Sequence, residues 1–201
     1  MIGKKRINEK FKPFKPLFKR LDELEAQGSD KDVIIVAVDG GSASGKTTLG
    51  QYLEKHYDLK VLHIDDFYLP KEKRTEERLS ELGGNIDRER LINEVLMPLR
   101  EGKSISYKAY SCVRGGFYDP VTVNPKKIMV IEGAYAMHPD FMKYYDFCVY
   151  LNIEKEKQFD RITKCTDRID VNRYFTEWTV RERIYFEKTD IKNRCDLVIN
   201  I

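Results

Sequence analysis

Residues 36–49 read VAVDGGSASGKTTL, an apolar run followed at once by a turn of small residues that ends in a lysine and two threonines. Gly40, Gly45, Lys46 and Thr47 fit the phosphate-binding pattern G-x-x-x-x-G-K-[ST]. The small residues allow main-chain N–H groups to converge on phosphate oxygens, and the lysine can reach the β- and γ-phosphates. We therefore predict a nucleoside triphosphate site built from Gly40, Gly41, Ser42, Ala43, Ser44, Gly45, Lys46, Thr47 and Thr48.

This loop alone does not select a function, because GTPases, motor proteins and kinases all share it. A GTPase also carries D-x-x-G and N-K-x-D motifs, and neither occurs in this sequence. The sequence outside the loop must therefore indicate which of the remaining classes the protein belongs to.

The chain has 201 residues, of which 34% are charged and 41% are apolar. This composition is typical of a soluble globular domain, and no apolar run approaches the roughly 20 residues of a membrane span. We therefore expect a cytoplasmic protein that does not bind a membrane. The four cysteines, at positions 112, 148, 165 and 195, are widely spaced, which argues against a zinc site or a disulfide framework.

The positive charge is concentrated at the start of the chain, where the first twenty residues hold eight Lys or Arg and one Glu. The remainder is slightly acidic, so we expect no nucleic-acid partner. Residues 11–25 space their apolar side chains like one face of a short helix. We predict that residues 1–30 are a basic helical extension that lies on the flank of the domain or on a second subunit. The sequence therefore leaves open whether the protein forms a homo-oligomer.

Five apolar runs rich in β-branched residues alternate with helical patterns along the chain. This alternation indicates an α/β fold of the P-loop NTPase class, with a parallel five-stranded sheet and helices on both faces. The predicted strands are 33–38, 60–64, 128–131, 147–153 and 197–201. The predicted helices are 46–56, 88–101, 139–144, 155–164 and 175–188. Residues 102–125 break the pattern and predict a small β-hairpin inserted at the edge of the sheet.

Three further motifs follow the loop: HIDDFYLP at 63–70, NID at 85–87 and IEG at 131–133. Together with the loop, they resemble the uridine kinase family and its relatives, the nicotinamide riboside, pantothenate and phosphoribulo kinases. The likeness extends from about residue 33 to the end of the chain. It implies that residues 31–201 form a P-loop kinase domain that uses ATP and Mg²⁺ to phosphorylate a small-molecule acceptor.

The resemblance also implies roles for individual residues around the phosphates. A carboxylate after the second strand would lie across from the loop and could accept the proton of an attacking hydroxyl. The family assigns this catalytic role to Asp65, for which a helix or turn cap is the alternative. Glu132 matches the family's acidic residue beside magnesium, which Thr47 would also ligate. Lys46 would act on the transferred phosphoryl group.

For the acceptor, the resemblance assigns Asp87 to ribose hydroxyls, although Asp before a helix is also a common N-cap. Tyr107 and Tyr110 lie where the family's hairpin supplies an aromatic side chain to the base. Alternating tyrosines are equally typical of ordinary strand pairs. The family's histidine and arginine nearby have no certain counterpart, and Arg114 is the nearest candidate.

The family closes its site with arginines from a flexible lid, because charge spreads over the oxygens of the moving phosphoryl group. Here the lid would span about residues 161–175. Arg161 aligns with a catalytic arginine of the family, and Arg168 and Arg173 are further candidates for contacts with the substrate. Solvated surface arginines are the alternative interpretation for all three.

The segment after the lid contains the run W-x-x-x-E-x-x-Y, which is found at this point in bacterial uridine kinase-like proteins. It suggests Glu182 and Tyr185 as neighbours of the acceptor, while the helical spacing of Trp178, Ile184 and Tyr185 favours core packing. His56, His63 and His138 are isolated in the sequence, and we expect them to be satisfied polar residues and not metal ligands.

The favoured function is transfer of a phosphoryl group from ATP to the 5′-hydroxyl of a nucleoside, uridine or cytidine. One alternative is a kinase of the same fold for another small alcohol, such as nicotinamide riboside or pantothenate. The other is a nucleotide-binding regulatory protein without transfer activity.

Overall fold

The computed structural model of the protein describes residues 8–26, 32–164 and 171–201. The strands are β1 (Ile34–Gly40), β2 (Leu59–His63), β3 (Ile105–Tyr107), β4 (Tyr110–Ser111), β5 (Gly116–Phe117), β6 (Val121–Val123), β7 (Ile128–Glu132), β8 (Phe147–Asn152) and β9 (Leu197–Asn200). Five of them form a parallel sheet in the order β2-β7-β1-β8-β9. The predicted fold class is confirmed.

The order of the strands brings the ends of β1, β2 and β7 together at one edge of the sheet. Val38 and His63 are both paired in register with Glu132 on β7. All seven residues of β1 are buried, as expected for a strand covered on both faces. The carboxyl ends of parallel strands are where open α/β sheets bind their ligands. The polar residues that follow these three strands are therefore neighbours.

The helices are α1 (Lys15–Ala26), α2 (Lys46–His56), α3 (Glu76–Ser80), α4 (Arg88–Leu91), α5 (Met97–Arg100), α6 (Lys155–Lys164), α7 (Val171–Arg173), α8 (Thr179–Thr189) and α9 (Ile191–Arg194). The bounds of α2 and α6 agree with those predicted. Two other predicted helices contain π-helical turns, at Ile92–Leu96 and Tyr174–Trp178. None of these helices is long and apolar enough to cross a membrane, a finding limited to the part of the chain that the structure describes.

The prediction of a helix over residues 139–144 was wrong. Only Met142–Tyr144 forms a helical turn, and it is a 3-10 turn. The hydrogen bonds in this region join residues three apart, as from Phe141 N to His138 O and from Tyr144 N to Phe141 O. Phe141 is fully buried, and Pro139 has no N–H to donate to a longer helix.

The predicted insertion is a small hairpin with two antiparallel ladders, β3 with β6 and β4 with β5. It does not extend the central sheet, contrary to the expectation that it joins the sheet's edge. The reason is that the apolar face of the hairpin packs against the buried core beside β2. Tyr107 packs on the ring of Phe67, with centroids 5.0 Å apart, and Ile105 and Val123 belong to the same buried cluster. The hairpin therefore forms a wall beside the end of β2.

Helix α1 covers one flank of the domain, one of the two positions expected for the basic extension. Its buried apolar residues join the cluster under β1, β7 and β8; they are Leu17, Phe18, Leu21 and Leu24. The ring of Tyr52 on α2 stacks on Phe18, with centroids 5.2 Å apart, and on Phe11 at 4.0 Å. The described part of the extension is therefore packed into the core on this side of the sheet.

We predict that weakening the packing of α1 destabilises the whole domain. Leu21→Ala removes a fully buried side chain and should lower the free energy of unfolding by about 2–5 kcal/mol. Lys19→Ala, whose side chain is 81% exposed, is the matched control and should stay within about 0.5 kcal/mol of the unmodified chain. Urea denaturation measures both. A Leu21→Ala variant that unfolds at the unmodified midpoint would show that α1 lies outside the cooperative unit.

Candidate active site

The phosphate-binding pattern forms a tight loop between β1 and α2. Gly40 must be a glycine because a Cβ there would lie 2.6 Å from the main-chain oxygen of Leu151. Gly45, just before α2, has a φ of +97°, a conformation that favours glycine. The first turn of α2 is therefore directed into the loop, and its N–H groups with the helix dipole favour an anion there.

The ammonium of Lys46 lies inside this loop. Its Nζ donates hydrogen bonds to the main-chain oxygens of Gly40, at 2.7 Å, and Gly41, at 3.0 Å. The side chain is buried. The lysine is thus held beside the position predicted for the phosphates, and a bound phosphate would exchange carbonyl partners for anionic ones.

A buried carboxylate lies directly beneath the loop. Asp39 accepts hydrogen bonds from Gly40 N at 2.7 Å, from Met137 N at 2.9 Å and from the Tyr185 hydroxyl at 2.8 Å. Burial raises the pKa of Asp39 to about 6, against the opposing effects of these donors and of Lys46. Sequence reasoning missed this network, which ties the loop to the start of the segment after β7 and to α8. Tyr185 is therefore packed in the core, as its helical spacing predicted, whereas the same prediction was wrong for Trp178 and Ile184, which are 37% and 40% exposed.

Helices α6 and α8 contact the loop from the side. Gln158 Nε2 donates to Ser42 O and an Arg161 Nη donates to Ala43 O, both at 2.9 Å. Glu182 accepts a hydrogen bond from Ser42 N at 2.9 Å and one from Ser42 Oγ at 2.5 Å. Arg161 is thus brought to the loop, as a phosphate-contacting arginine requires, while its catalytic role stays a prediction.

Of the other lid candidates, Arg168 lies outside the described residues, as does the side chain of Arg173. Cys165, at the start of the same segment, is also outside them.

Asp65 lies in the 3-10 turn Ile64–Phe67 that follows β2. Desolvation by the surrounding protein raises its pKa, although the side chain keeps a solvent-exposed surface, and the negative charge of Glu132 raises it further. The positive charge of Lys46 and a hydrogen bond from Tyr68 act in the opposite direction. A carboxylate with a raised pKa and an exposed surface, within reach of the charge of Lys46, is suited to accept a proton.

The neighbouring Asp66 has a different environment. Its carboxylate accepts a hydrogen bond from the Tyr107 hydroxyl at 3.0 Å, so it anchors the hairpin. Although they are adjacent in sequence, Asp65 is affected by the charge of Lys46 in the loop, whereas Asp66 is hydrogen-bonded to the hairpin.

Glu132 at the end of β7 is buried and hydrogen-bonded to His63 at the end of β2. The distance from His63 Nδ1 to Glu132 Oε1 is 2.6 Å. This hydrogen bond is the main cause that raises the pKa of His63, while desolvation lowers it. His63 is thus a satisfied polar residue, as expected. Its partner, however, is the residue predicted to lie beside magnesium.

The oxygens of Thr47 and Glu132 are of the kind that Mg²⁺ prefers. Within residues 8–26, 32–164 and 171–201, no three His, Cys, Asp or Glu side chains gather into a metal site. This sparse donor set fits magnesium, which binds kinases through one or two protein oxygens, the phosphates and water. The magnesium ligands stay a prediction.

The predicted acceptor residues have partners within the protein. Asp87 is buried, caps α4 by accepting from Arg90 N at 3.3 Å, and pairs with Lys73 Nζ at 3.3 Å. The cap that the sequence left as an alternative is therefore present. A contact between Asp87 and ribose hydroxyls stays a prediction.

The hairpin residues are also engaged. Tyr107 and Tyr110 are buried, and the Tyr110 hydroxyl accepts a hydrogen bond from Lys71 N at 3.3 Å. Arg114 is exposed at the hairpin tip, with its guanidinium 5.3 Å from the centroid of the Tyr118 ring. Stacking of either tyrosine on a base, and a substrate contact by Arg114, stay predictions.

Comparison with known proteins identifies the family. A family model described as Phosphoribulokinase / Uridine kinase family matches residues 35–194. The chain belongs to this family. The resemblance drawn from the loop and the three later motifs is confirmed.

The chain is similar to a chloroplastic phosphoribulokinase from Spinacia oleracea, 33% identical over 101 residues that cover 49% of this chain and 25% of the relative. A uridine kinase from Histophilus somni is 29% identical over 117 residues, covering 52% of this chain and 54% of the relative. The matches thus span a quarter to about half of these relatives. A structure described as a possible uridine kinase from Bacillus stearothermophilus has a TM-score of 0.67 at 22% identity, covering 92% of this chain and 99% of that one. That likeness concerns the fold.

We predict that His63 titrates above its ordinary pKa of about 6.5 because Glu132 stabilises the imidazolium. The stability that the interaction of His63 with Glu132 contributes is fully present below the pKa of His63 in the unfolded chain. It is lost as the pH rises through the pKa of His63 in the folded protein. The side chain is 39% exposed, so solvent screening should keep the contribution below about 1 kcal/mol. NMR titration of the imidazole gives the pKa, and urea unfolding of His63→Gln at several pH values gives the stability difference.

Glu132→Gln is the matched variant for this test, because it removes the charge and keeps the shape of the side chain. The His63 pKa should fall in that variant. A His63 pKa at or below 6.5 in the unmodified chain, or no response to Glu132→Gln, would contradict the pairing.

Proposed function

We propose that the protein is a kinase that transfers the γ-phosphoryl group of ATP to the 5′-hydroxyl of a nucleoside, with uridine or cytidine favoured. The single observation that carries the proposal is that Asp65 lies near enough to Lys46 of the phosphate loop for the lysine's charge to act on its carboxyl group. The charge of Lys46 lowers the pKa of Asp65 while desolvation raises it, so a proton acceptor lies within electrostatic range of the predicted phosphate site. Membership of the phosphoribulokinase and uridine kinase family supports the reaction class.

In this mechanism the loop N–H groups and Lys46 hold the triphosphate. Asp65 accepts the proton of the acceptor hydroxyl, whose oxygen forms a bond to the γ-phosphorus while the bond from that phosphorus to the ADP oxygen breaks. Arg161, already at the loop, supplies positive charge to the moving phosphoryl group. Thr47 and Glu132 would hold magnesium, which when bound neutralises charge on the phosphate oxygens.

The proposed acceptor site lies between the 3-10 turn after β2, α4 and the hairpin. Asp87 supports a polyol acceptor, because its buried carboxylate could accept hydrogen bonds from vicinal hydroxyls. A second candidate function is phosphorylation of a different small alcohol, which the similarity to a phosphoribulokinase favours. Lys73, paired with Asp87, would suit an acceptor that carries an anionic group.

The proposal predicts that nucleosides stimulate ADP release. In an assay with uridine, cytidine, nicotinamide riboside, pantothenate and sugar phosphates, we expect uridine or cytidine to raise the rate on the order of 100-fold or more above the water background. Asp65→Asn should lower the stimulated rate by about 10²–10⁴-fold, because the proton acceptor is lost, and should leave ATP binding intact. Asp58→Asn, 77% exposed before the opposite end of β2, is the control and should keep most of the activity.

If a different acceptor stimulated ADP release, that alcohol would replace the nucleoside as the proposed substrate. Tight ATP binding without stimulation by any acceptor would contradict the kinase and favour a nucleotide-dependent binding protein. Full activity of Asp65→Asn would exclude Asp65 as the base.

A further inference from the structure

A second carboxylate touches the phosphate loop, and the proposed reaction does not use it. Glu182 on α8 is 5% exposed. Its Oε2 accepts the Ser42 N–H at 2.9 Å and its Oε1 accepts the Ser42 hydroxyl at 2.5 Å. Both carboxylate oxygens are therefore bonded to one residue of the loop, in the manner of an anionic ligand.

The charges around Glu182 show what holds it there. Burial disfavours its ionised form and raises its pKa, while the two Ser42 donors and the positive charge of Lys46 favour that form. The negative charge of Asp65 also raises its pKa. Glu182 thus depends on the same lysine, and on the same kind of main-chain donor, that a phosphate group would use.

A triphosphate in the loop would remove this support. Lys46 would turn to the phosphate oxygens, and further negative charge would approach a carboxylate that is buried and already disfavoured by Asp65. The carboxylate and the nucleotide therefore oppose each other at the loop.

We propose that Glu182 is an internal competitor of the nucleotide, because it engages the Ser42 donors of the loop and thereby lowers the affinity for ADP and ATP. This inference rests on the proposed nucleotide site. It makes Glu182 a residue that sets how tightly the donor binds, and it accounts for a buried carboxylate placed against a phosphate-binding loop.

The surroundings allow the side chain to leave while the helix stays in place. Tyr185 lies on the same face of α8, three residues on, and its bond to the buried Asp39 anchors the helix. Gln158 holds the Ser42 carbonyl from α6. Glu182 and Gly41 also line a cavity of about 710 Å³ between α6 and α8. We therefore expect release of Glu182 by rotation of its side chain into this cavity.

The test is calorimetric titration of ADP, and separately of ATP with magnesium, into the unmodified chain and Glu182→Gln. The substitution keeps the size of the side chain and removes its charge. We expect the dissociation constant of each nucleotide to fall about tenfold, because the competing charge is removed from the loop. Glu25→Gln, exposed on α1 and not among the residues that line this cavity, removes an equal charge and should leave the affinity unchanged.

The Ser42 amide provides a second readout that does not depend on nucleotide affinity. In the protein without nucleotide its proton resonance should lie downfield because of the carboxylate, and Glu182→Gln should move it upfield. Should Glu182→Gln fail to fold, Ser42→Ala removes one of the two contacts and should tighten ADP binding about threefold.

Weaker or unchanged nucleotide binding by folded Glu182→Gln would overturn the competition, since Glu182 would then support the occupied loop or have no effect on it. Absence of ADP and ATP binding by the unmodified chain would instead contradict the proposed nucleotide site. The two failures are distinguishable in the same set of titrations.

Discussion

The positive charge of Lys46 is the interaction on which the site depends. Its field lowers the pKa values of Asp39 beneath the loop, Asp65 across from it and Glu182 beside it, each of which is raised by desolvation. Without that charge, each of these carboxylates would keep only its hydrogen-bond donors to offset burial, and the negative charge of Asp65 would still act on Glu182. The loop, the turn after β2 and helix α8 are therefore coupled electrostatically through one ammonium group.

The sheet explains why these groups meet. Parallel strands end at a common edge, so the residues after β1, β2 and β7 converge on the loop without long connections. The helices after β8 add the remaining contacts: α6 provides Gln158 and Arg161, and α8 provides Glu182 and Tyr185. Helices α6 and α8, both from the segment between β8 and β9, therefore contact the loop directly.

Much of this architecture could be predicted because it follows from local pattern. The five apolar runs, the glycine loop and α2 are determined by residues close together in sequence. The resemblance supplied Asp65 and Glu132. Contacts such as Tyr185 with Asp39, His63 with Glu132 and Glu182 with Ser42 join residues 146, 69 and 140 positions apart, and no local pattern specifies them. The short segment at 139–144 was misassigned because burial of Phe141 decided its conformation.

Calorimetric titration of ATP with magnesium into Lys46→Ala tests whether this loop binds a nucleoside triphosphate through Lys46. Lys55→Ala, exposed at the end of the same helix, is the matched control, and a thermal melt verifies that both variants are folded. We expect Lys46→Ala to bind about 100-fold more weakly or worse, because a buried charge-assisted contact to phosphate is lost, and Lys55→Ala to bind normally. Unimpaired binding by folded Lys46→Ala would contradict this role of Lys46.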